Sequence, residues 1–326
     1  MRLIHYSPGR LDNSDNPGLR RQGRERGMAL IAVLWITAAL TVLVAGIAGS
    51  ARVDADIASA MYDRARIGAL LDGALRVAAR DLVLGAQQQD AQREAGRLVF
   101  HYRINGQMIH VEAAGGGGFI SLNTATEPLL SLMFMQAAHL PESQAQLLAQ
   151  HVVQWRAPAA GQENSEAVVA RYRDAGLSYG PRFGPFLRPD DLQQVLGVTL
   201  PVYNALRPLV SARMPGAGAG VDVMESPPEV LAVLANGDQG LVRRIMQAVA
   251  AGDSSAQNMD GLDSQFVSPG GGGMDYRLRA SMTSDFGKRW QRDAWVAAGG
   301  GLGTRREQKF PWEWYYADPV VIATGQ

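Results

Sequence analysis

The chain has 326 residues, 47% of them hydrophobic, with 31 basic and 31 acidic side chains and no cysteine. That length and composition suit two or three modest folded domains rather than a disordered chain, and zero formal charge creates no overall attraction to nucleic acid or an acidic surface. The lack of cysteine excludes disulfides, a thiol nucleophile and Cys-ligated zinc, and decides nothing about compartment.

The charge balance hides an asymmetry. Residues 1–27 hold six arginines against Asp12, Asp15 and Glu25, which leaves 25 basic and 28 acidic side chains beyond them. From Met28 to Ala48 no residue is charged, and at about 1.5 Å per residue a helix of this length measures roughly 31 Å, enough to span the hydrocarbon core. By the positive-inside tendency, residues 1–27 face the cytoplasm and everything after about Ser50 is exported. A buried core helix is one rival reading, and a cleaved secretory signal is another, since Gly49 and Ala51 offer small residues to a signal peptidase. The residues beyond Ala51 argue for retention. VDADIASAMYDRARIGALLDGALRVAARDLVLG continues without proline, and Val53, Ile57, Met61, Ile67, Leu70, Leu71, Ala74, Leu75, Ala78 and Leu82 recur at helical spacing. The pattern predicts one rod from about Met28 to Leu84, apolar all round in its first half and amphipathic in its second.

A basic leader ending in Gly27, an apolar residue next, an unbroken spanning segment and an amphipathic continuation resemble the class III signal of type IV pilins and pseudopilins. The resemblance implies cleavage by a prepilin peptidase on the cytoplasmic side, between Gly27 and Met28, and methylation of the new amino terminus at Met28. Most pilins carry a glutamate five residues after the cut; here Ala32 stands there. Without that carboxylate the chain is similar to the K-type minor pseudopilin of type II secretion (general secretion pathway protein K), in which the absence fits a place at the filament tip.

Beyond the rod, RLVFHYRINGQMIHVEAAGGGG places two alternating runs around Asn105 and Gly106, a hairpin signal. His101 and His110 face each other across it and read as half-exposed sheet residues rather than ligands, with no accompanying carboxylate pattern. Gly115 to Gly118 read as a flexible boundary. Residues 119 to about 251 read as helical. Thr124 and Glu127 form an expected capping box before PLLSLMFM, PESQAQLLAQHVVQW continues at helical spacing, and LRPDDLQQVLGVTLPVYNALRPLV supplies two short helices joined at Gly197. VDVMESPPEVLAVLAN repeats the scheme of the first opening, with Ser226 as cap and Glu229 at the third helical position. These two openings are again similar to the K-type family, in which a helical region likened to SAM or helix-hairpin-helix folds is inserted into a pilin sheet, although Met224 and Glu225 stand where the family tends to have asparagine and threonine. A second glycine run, Gly270 to Gly273, closes the insertion. DYRLRASMTSDFGKRWQRDAWVAAG then reads as a second hairpin turning at Ser284 to Gly287, and KFPWEWYYADP carries five aromatics, expected to pack on the sheet, with a partner-binding surface as the rival reading.

The family resemblance implies two calcium ions held by acids in a D-W-x-D-x-D type run. The matching VVQWRAPAAGQENSEAV has Gln154, Arg156 and Ala157 where acids belong, leaving Glu163, Asn164 and Glu166 as oxygen donors; calcium wants six to eight oxygens, so no metal site is expected. The 216–220 G-A-G-A-G run lacks a following P-loop lysine and reads as a linker. No serine sits in a nucleophile elbow, and His139 and His151 fall on helical segments, so no enzyme and no cofactor are expected.

The expected fold is α+β: a leader (1–27), a transmembrane segment (28–48), the pilin helix continuation with the first hairpin (49–114), an inserted all-α domain in two subdomains (119–251) and a second hairpin with the aromatic segment (274–326). The expected function is a minor pseudopilin that caps or initiates the periplasmic pseudopilus. Its expected partners are the I-type and J-type minor pseudopilins, the prepilin peptidase and the inner membrane, with the bulk of the chain periplasmic and no nucleic acid bound. Alternatives are a minor pilin of a related type IV pilus and an exported helix-hairpin-helix nucleic-acid binder. Against the latter, the 187–213 segment offers only Arg188, Arg207 and Arg213. A soluble periplasmic protein beginning near Arg52 is distinguished by where the mature amino terminus lies.

Overall fold

The computed structural model describes residues 22–84, 92–94, 97–159, 165–212, 219–268, 275–284, 287–298, 312–317 and 321–322. The leader up to residue 21, Glu163, Asn164, residues 216–218, Gly270 to Gly273 and the tail residues 309–311, 318 and 319 lie outside them. The chain divides into two compact units, Met1–Ala65 and Arg66–Gln326.

Helix α1 (Gln22–Leu84) contributes to both units. No proline occurs after Pro17 until Pro128, so nothing removes a backbone donor along its length. In the first unit its described side chains are almost all exposed, from Met28 through Tyr62. In the second unit Ile67, Leu70, Leu71, Ala74, Leu75, Ala78, Ala79 and Leu82 are buried. The expected amphipathic stripe is thus divided: its sheet-facing part starts at Ile67, whereas Val53, Ile57 and Met61 remain 57%, 48% and 68% exposed.

That stripe packs on an antiparallel sheet. Its strands are β1 (Gln92–Glu94), β2 (Arg97–Ile104), β3 (Gln107–Gly115), β6 (Asp275–Thr283), β7 (Arg289–Ala298), β8 (Trp312–Ala317) and β9 (Val321–Ile322), while the short β4 (Ile120–Ser121) and β5 (Val210–Ser211) lie apart from it. The order across the sheet is β1-β2-β3-β6-β7-β8, with β9 also pairing with β7. Strands β2 and β3 join through Asn105 (φ 50°) and Gly106 (φ 80°), the left-handed pair a type I′ hairpin demands. Alternation then puts Phe100, Ile109, Val111, Ala113, Leu278, Ala280, Met282, Ala294 and Val296 against α1 in one core. Each fully buried leucine or isoleucine there is worth about 1.5–3 kcal/mol. Asp81, almost fully buried on α1, is held by Arg80 (2.8 Å) and by the Tyr102 hydroxyl (3.0 Å). The second expected hairpin, β6–β7, is closed by Ser284 N–H donating to the Lys288 carbonyl at 2.8 Å and Gly287 N–H to the Ser284 carbonyl at 2.9 Å.

Between β3 and β6 the chain leaves the sheet and forms a mainly helical block. It contains α2 (Glu127–Ala138), α3 (Glu142–Arg156), α4 (Ser165–Asp174), α5 (Leu200–Leu206), α6 (Pro228–Leu234) and α7 (Gln239–Ala250). The block is not wholly helical. Strand β4 pairs in parallel with β5, and Val221 bridges Val267; runs this short carry no periodicity to read in a sequence. It also extends past residue 251, because 3-10 turns capped by Asp253 and Asp263 fold Ala256 and Phe266 into the same core. The buried side chains from Phe119 to Phe266 form one cluster, which Trp295 of β7 joins from the sheet's other face.

Two expected caps are replaced. Helix α2 starts at Thr126, whose Oγ1 accepts from Leu129 N–H, while the Thr124 hydroxyl is buried with no partner among the described residues. Helix α6 follows Pro227, and Ser226 Oγ donates instead to the Asp222 carbonyl at 2.7 Å. At the second opening the turn consumes the Ser226 hydroxyl that spacing alone assigns to the helix, whereas at the first the helix begins two residues beyond Thr124.

The run Gly115 to Gly118 is a packed junction rather than a flexible boundary. A Cβ on Gly118 would overlap the backbone of Glu225 and Ser226, one on Gly115 would overlap the Glu225 carboxyl, and one on Gly116 would lie 3.0 Å from Asp275 Cβ. The glycines are there for close approach, and the Gly117 carbonyl accepts from Asp222 N–H at 2.9 Å. Burial, with Asp222 nearby, raises the pKa of Glu225 to about 7. Its folded pKa therefore exceeds its unfolded value near 4.5, so the folded state holds the extra proton between them and stability falls as pH rises through that interval, levelling off above about 7. Urea midpoints of the detergent-solubilised chain between pH 4.5 and 8 should fall with this slope, and Glu225→Gln should flatten it; parallel curves for the two proteins would contradict the assignment.

Candidate functional site

In the first unit, Met28–Gly46 form a segment long and apolar enough to cross a membrane, with mean hydropathy 2.5 and no residue buried. Its two hydroxyls are satisfied inside the helix: Thr37 Oγ1 donates to the Val33 and Leu34 carbonyls (3.0 and 2.9 Å) and Thr41 Oγ1 to the Thr37 carbonyl (2.7 Å). Neither hydroxyl therefore asks a hydrogen bond of a lipid or a partner helix. Gly27 and Met28 lie within α1, Met28 73% exposed, and Ala32 is likewise exposed. Where a carboxylate would demand a cationic partner in apolar surroundings, Ala32 demands none.

In the second unit the two sequence openings are one structural device used twice. At the first, Ser121 ends β4, its Oγ accepts from Asn123 N–H (3.3 Å), and its carbonyl accepts from Ala125 N–H (2.9 Å). At the second, Asp222 follows the Val221 bridge, its Oδ1 accepts from Met224 N–H (2.9 Å), and its carbonyl accepts from Glu225 N–H (3.2 Å). Both turns then lead into a helix with proline in its first turn. The first carries an additional staple: Asn123 Oδ1 accepts from Phe186 N–H (2.7 Å), while Nδ2 donates to the Phe186 carbonyl (3.0 Å) and to that of Ala212. The sequence shows Asn123 only as part of a repeated opening, because its partners lie 63 and 89 residues away. His151 makes a further built contact: it donates from Nδ1 to the Leu196 carbonyl (2.8 Å), while Leu196 N–H donates to the Tyr172 hydroxyl (3.1 Å). Burial lowers the His151 pKa, and this pair fixes the peptide ahead of Gly197. His101 and His110 pair across β2 and β3, both exposed, with ring centroids 4.6 Å apart. Arg188, one of three arginines in the 187–213 segment, lies 3.5 Å from Asp190.

The calcium sites implied by the resemblance do not fit these residues. Arg156, where an acid belongs, donates from Nη1 to the Leu122 carbonyl (2.7 Å) and from Nη2 to the Ala125 carbonyl (2.6 Å). Gln154 Oε1 takes a hydrogen bond from Arg171 at 3.4 Å, and Glu166 is exposed on the first turn of α4. Among the described residues no three His, Asp or Glu side chains converge. The guanidinium is itself the cation that holds the opening-turn carbonyls, where a hard divalent ion would need a carboxylate cage. Arg156→Met should cost about 1.5–3 kcal/mol, since two carbonyls lose a charged donor. Thermal melting of the unaltered chain should be the same with EDTA as with added Ca2+.

Residues 124–215, which contain Arg156 and the Phe186 and Ala212 partners of Asn123, match the family described as type II secretion system (T2SS), protein K. No curated protein matches the chain in sequence. In structure it is similar to a chain of the crystal structure of the GspK-GspI-GspJ complex from the enterotoxigenic Escherichia coli type 2 secretion system, with TM-score 0.51 and 11% identity, over 78% of this chain and 95% of that one. The likeness to the protein K family thus lies in the helical block, at residues 124–215, and the wider chain shares the α+β fold of its structural neighbour.

Proposed function

We propose that this protein caps or initiates a periplasmic pseudopilus, held before assembly in the inner membrane as a single-pass protein with its leader in the cytoplasm. The observation that carries the reading is the apolar helix surface: a spanning segment whose hydroxyls are satisfied internally, followed by Val53, Ile57 and Met61 left exposed on one helical stripe. Such a stripe is worth burying only against other helices. Ala32 fits the apex, where a subunit has no neighbour above to receive a carboxylate. The block between β3 and β6, with its SAM or helix-hairpin-helix likeness, adds bulk to one side of a pilin-like sheet and makes lateral stacking of further copies awkward. Pseudopilins of the I and J types are its partners, in keeping with the complex its structural neighbour was solved in. Processing by a prepilin peptidase cuts between Gly27 and Met28 and methylates Met28. The role is structural and is exercised through subunit contacts.

Mass spectrometry of the mature amino terminus should find methylated Met28 in cells that contain a prepilin peptidase and the uncut leader in cells that lack it; a soluble product starting near Arg52 would overturn the reading. Ile57→Asp should change unfolding stability by no more than about 0.5 kcal/mol, because the position is exposed. The same variant should lose co-purification with I-type and J-type pseudopilins and abolish secretion.

A further inference from the structure

The outer face of the sheet carries a feature that the assembly role does not use. His101 and His110 stand directly opposite each other on β2 and β3, both exposed, with imidazole centroids 4.6 Å apart and ring planes at 78°. The hairpin geometry makes this placement rigid. Its two-residue turn closes on the pair Ile104–Gln107, and pairs alternate outward between hydrogen-bonded and non-hydrogen-bonded kinds, so His101–His110, three steps on, is of the second kind. That kind brings opposed side chains closest together. The turn is pinned by the left-handed backbone of Asn105 and Gly106, and the strands by Phe100, Ile109 and Val111 buried on the opposite face.

We infer that this cross-strand histidine pair is a solvent-facing chelate for a borderline divalent cation such as Zn2+, Ni2+ or Cu2+. With metal–nitrogen bonds of about 2.0–2.1 Å, each ring centroid stands roughly 3.2 Å from the ion, so centroids 4.6 Å apart subtend roughly 90°. Rotation of the rings about χ at this separation gives a cis pair suited to octahedral or tetragonal coordination, and widening it to the tetrahedral angle moves the centroids by only about 0.6 Å. The donor set selects nitrogen-preferring ions over Ca2+ and Mg2+, which want oxygen. Glu112, two residues from His110 on the same strand face, is held by Arg97 at 3.0 Å, so water would complete the shell. The neighbouring cation Arg103 is exposed, where solvent screens its charge. The hairpin register places the two histidines opposite each other, and the buried opposite face holds them there.

Isothermal titration of ZnCl2 into the full chain in detergent should show one ion per chain, and His101→Gln and His110→Gln should each weaken binding at least about tenfold. Both positions are exposed, so the variants should keep the unaltered urea midpoint. In the NMR spectrum, Zn2+ should shift the imidazole resonances of these two histidines ahead of any others. Absence of binding, unchanged affinity in both variants, or shifts that begin at other histidines would each overturn the assignment.

Discussion

The second unit depends on one buried ionic knot. Asp293 on β7 is almost fully enclosed and receives Arg277 Nη2 at 2.6 Å and both Arg279 Nε and Nη2 at 3.0 Å. Burial alone would push its pKa up, and the two guanidiniums more than reverse this, holding the carboxyl well below the usual carboxylate range. Arg277 also reaches out of the sheet: its Nη1 donates to the Pro208 carbonyl at 2.9 Å, and its guanidinium lies 5.4 Å from the centre of the Phe119 ring. Phe119 meets Trp295 edge to face at 5.2 Å. A single side chain thus ties the strand after the helical block to the start and the middle of that block. Ion pairs of this kind add little net stability over an apolar core, yet breaking one leaves charges buried without compensation at about 3–5 kcal/mol. Such a knot specifies one seating of the block on the sheet.

Around it, the chain repeatedly uses backbone groups where another protein would use a bound ion or a flexible linker. Arg156 gathers two carbonyls, Asn123 joins three chain segments, and the glycine run 115–118 lets Glu225 and Asp275 come within contact of the sheet's exit. All of these contacts face inward. The apolar residues left outside are concentrated in the first unit, on α1, which is the distribution expected when a molecule's stability is settled within one unit and its assembly is carried by another.

Several features were legible because they depend on local periodicity or turn chemistry. The unbroken helix, both hairpins, the face of α1 from Ile67 onward and the recurrence of an opening turn at residues 121 and 222 all arise from spacing. Others were illegible for definite reasons. The cap of α2 lies at Thr126 rather than Thr124 because the helix begins later than spacing suggests, and Ser226 caps nothing because its hydroxyl is taken by the Asp222 carbonyl. The glycines at 115–118 carry the composition of a hinge, and only the proximity of Glu225, more than a hundred residues on, shows them to be a packing requirement. Strands β4 and β5 are too short to leave a pattern.

The amino-acid sequence by itself determined the apolar anchor, the missing carboxylate at Ala32 and the order of elements, since each rests on residues adjacent in the chain or spaced by a helical or strand period. Only the tertiary structure decided which carbonyls Arg156 and Asn123 would hold, and that Asp293 would be enclosed by two arginines, of which Arg277 also reaches the helical block. Those outcomes depend on segments far apart in sequence arriving at one place, and burial rather than spacing sets what each polar group must then find.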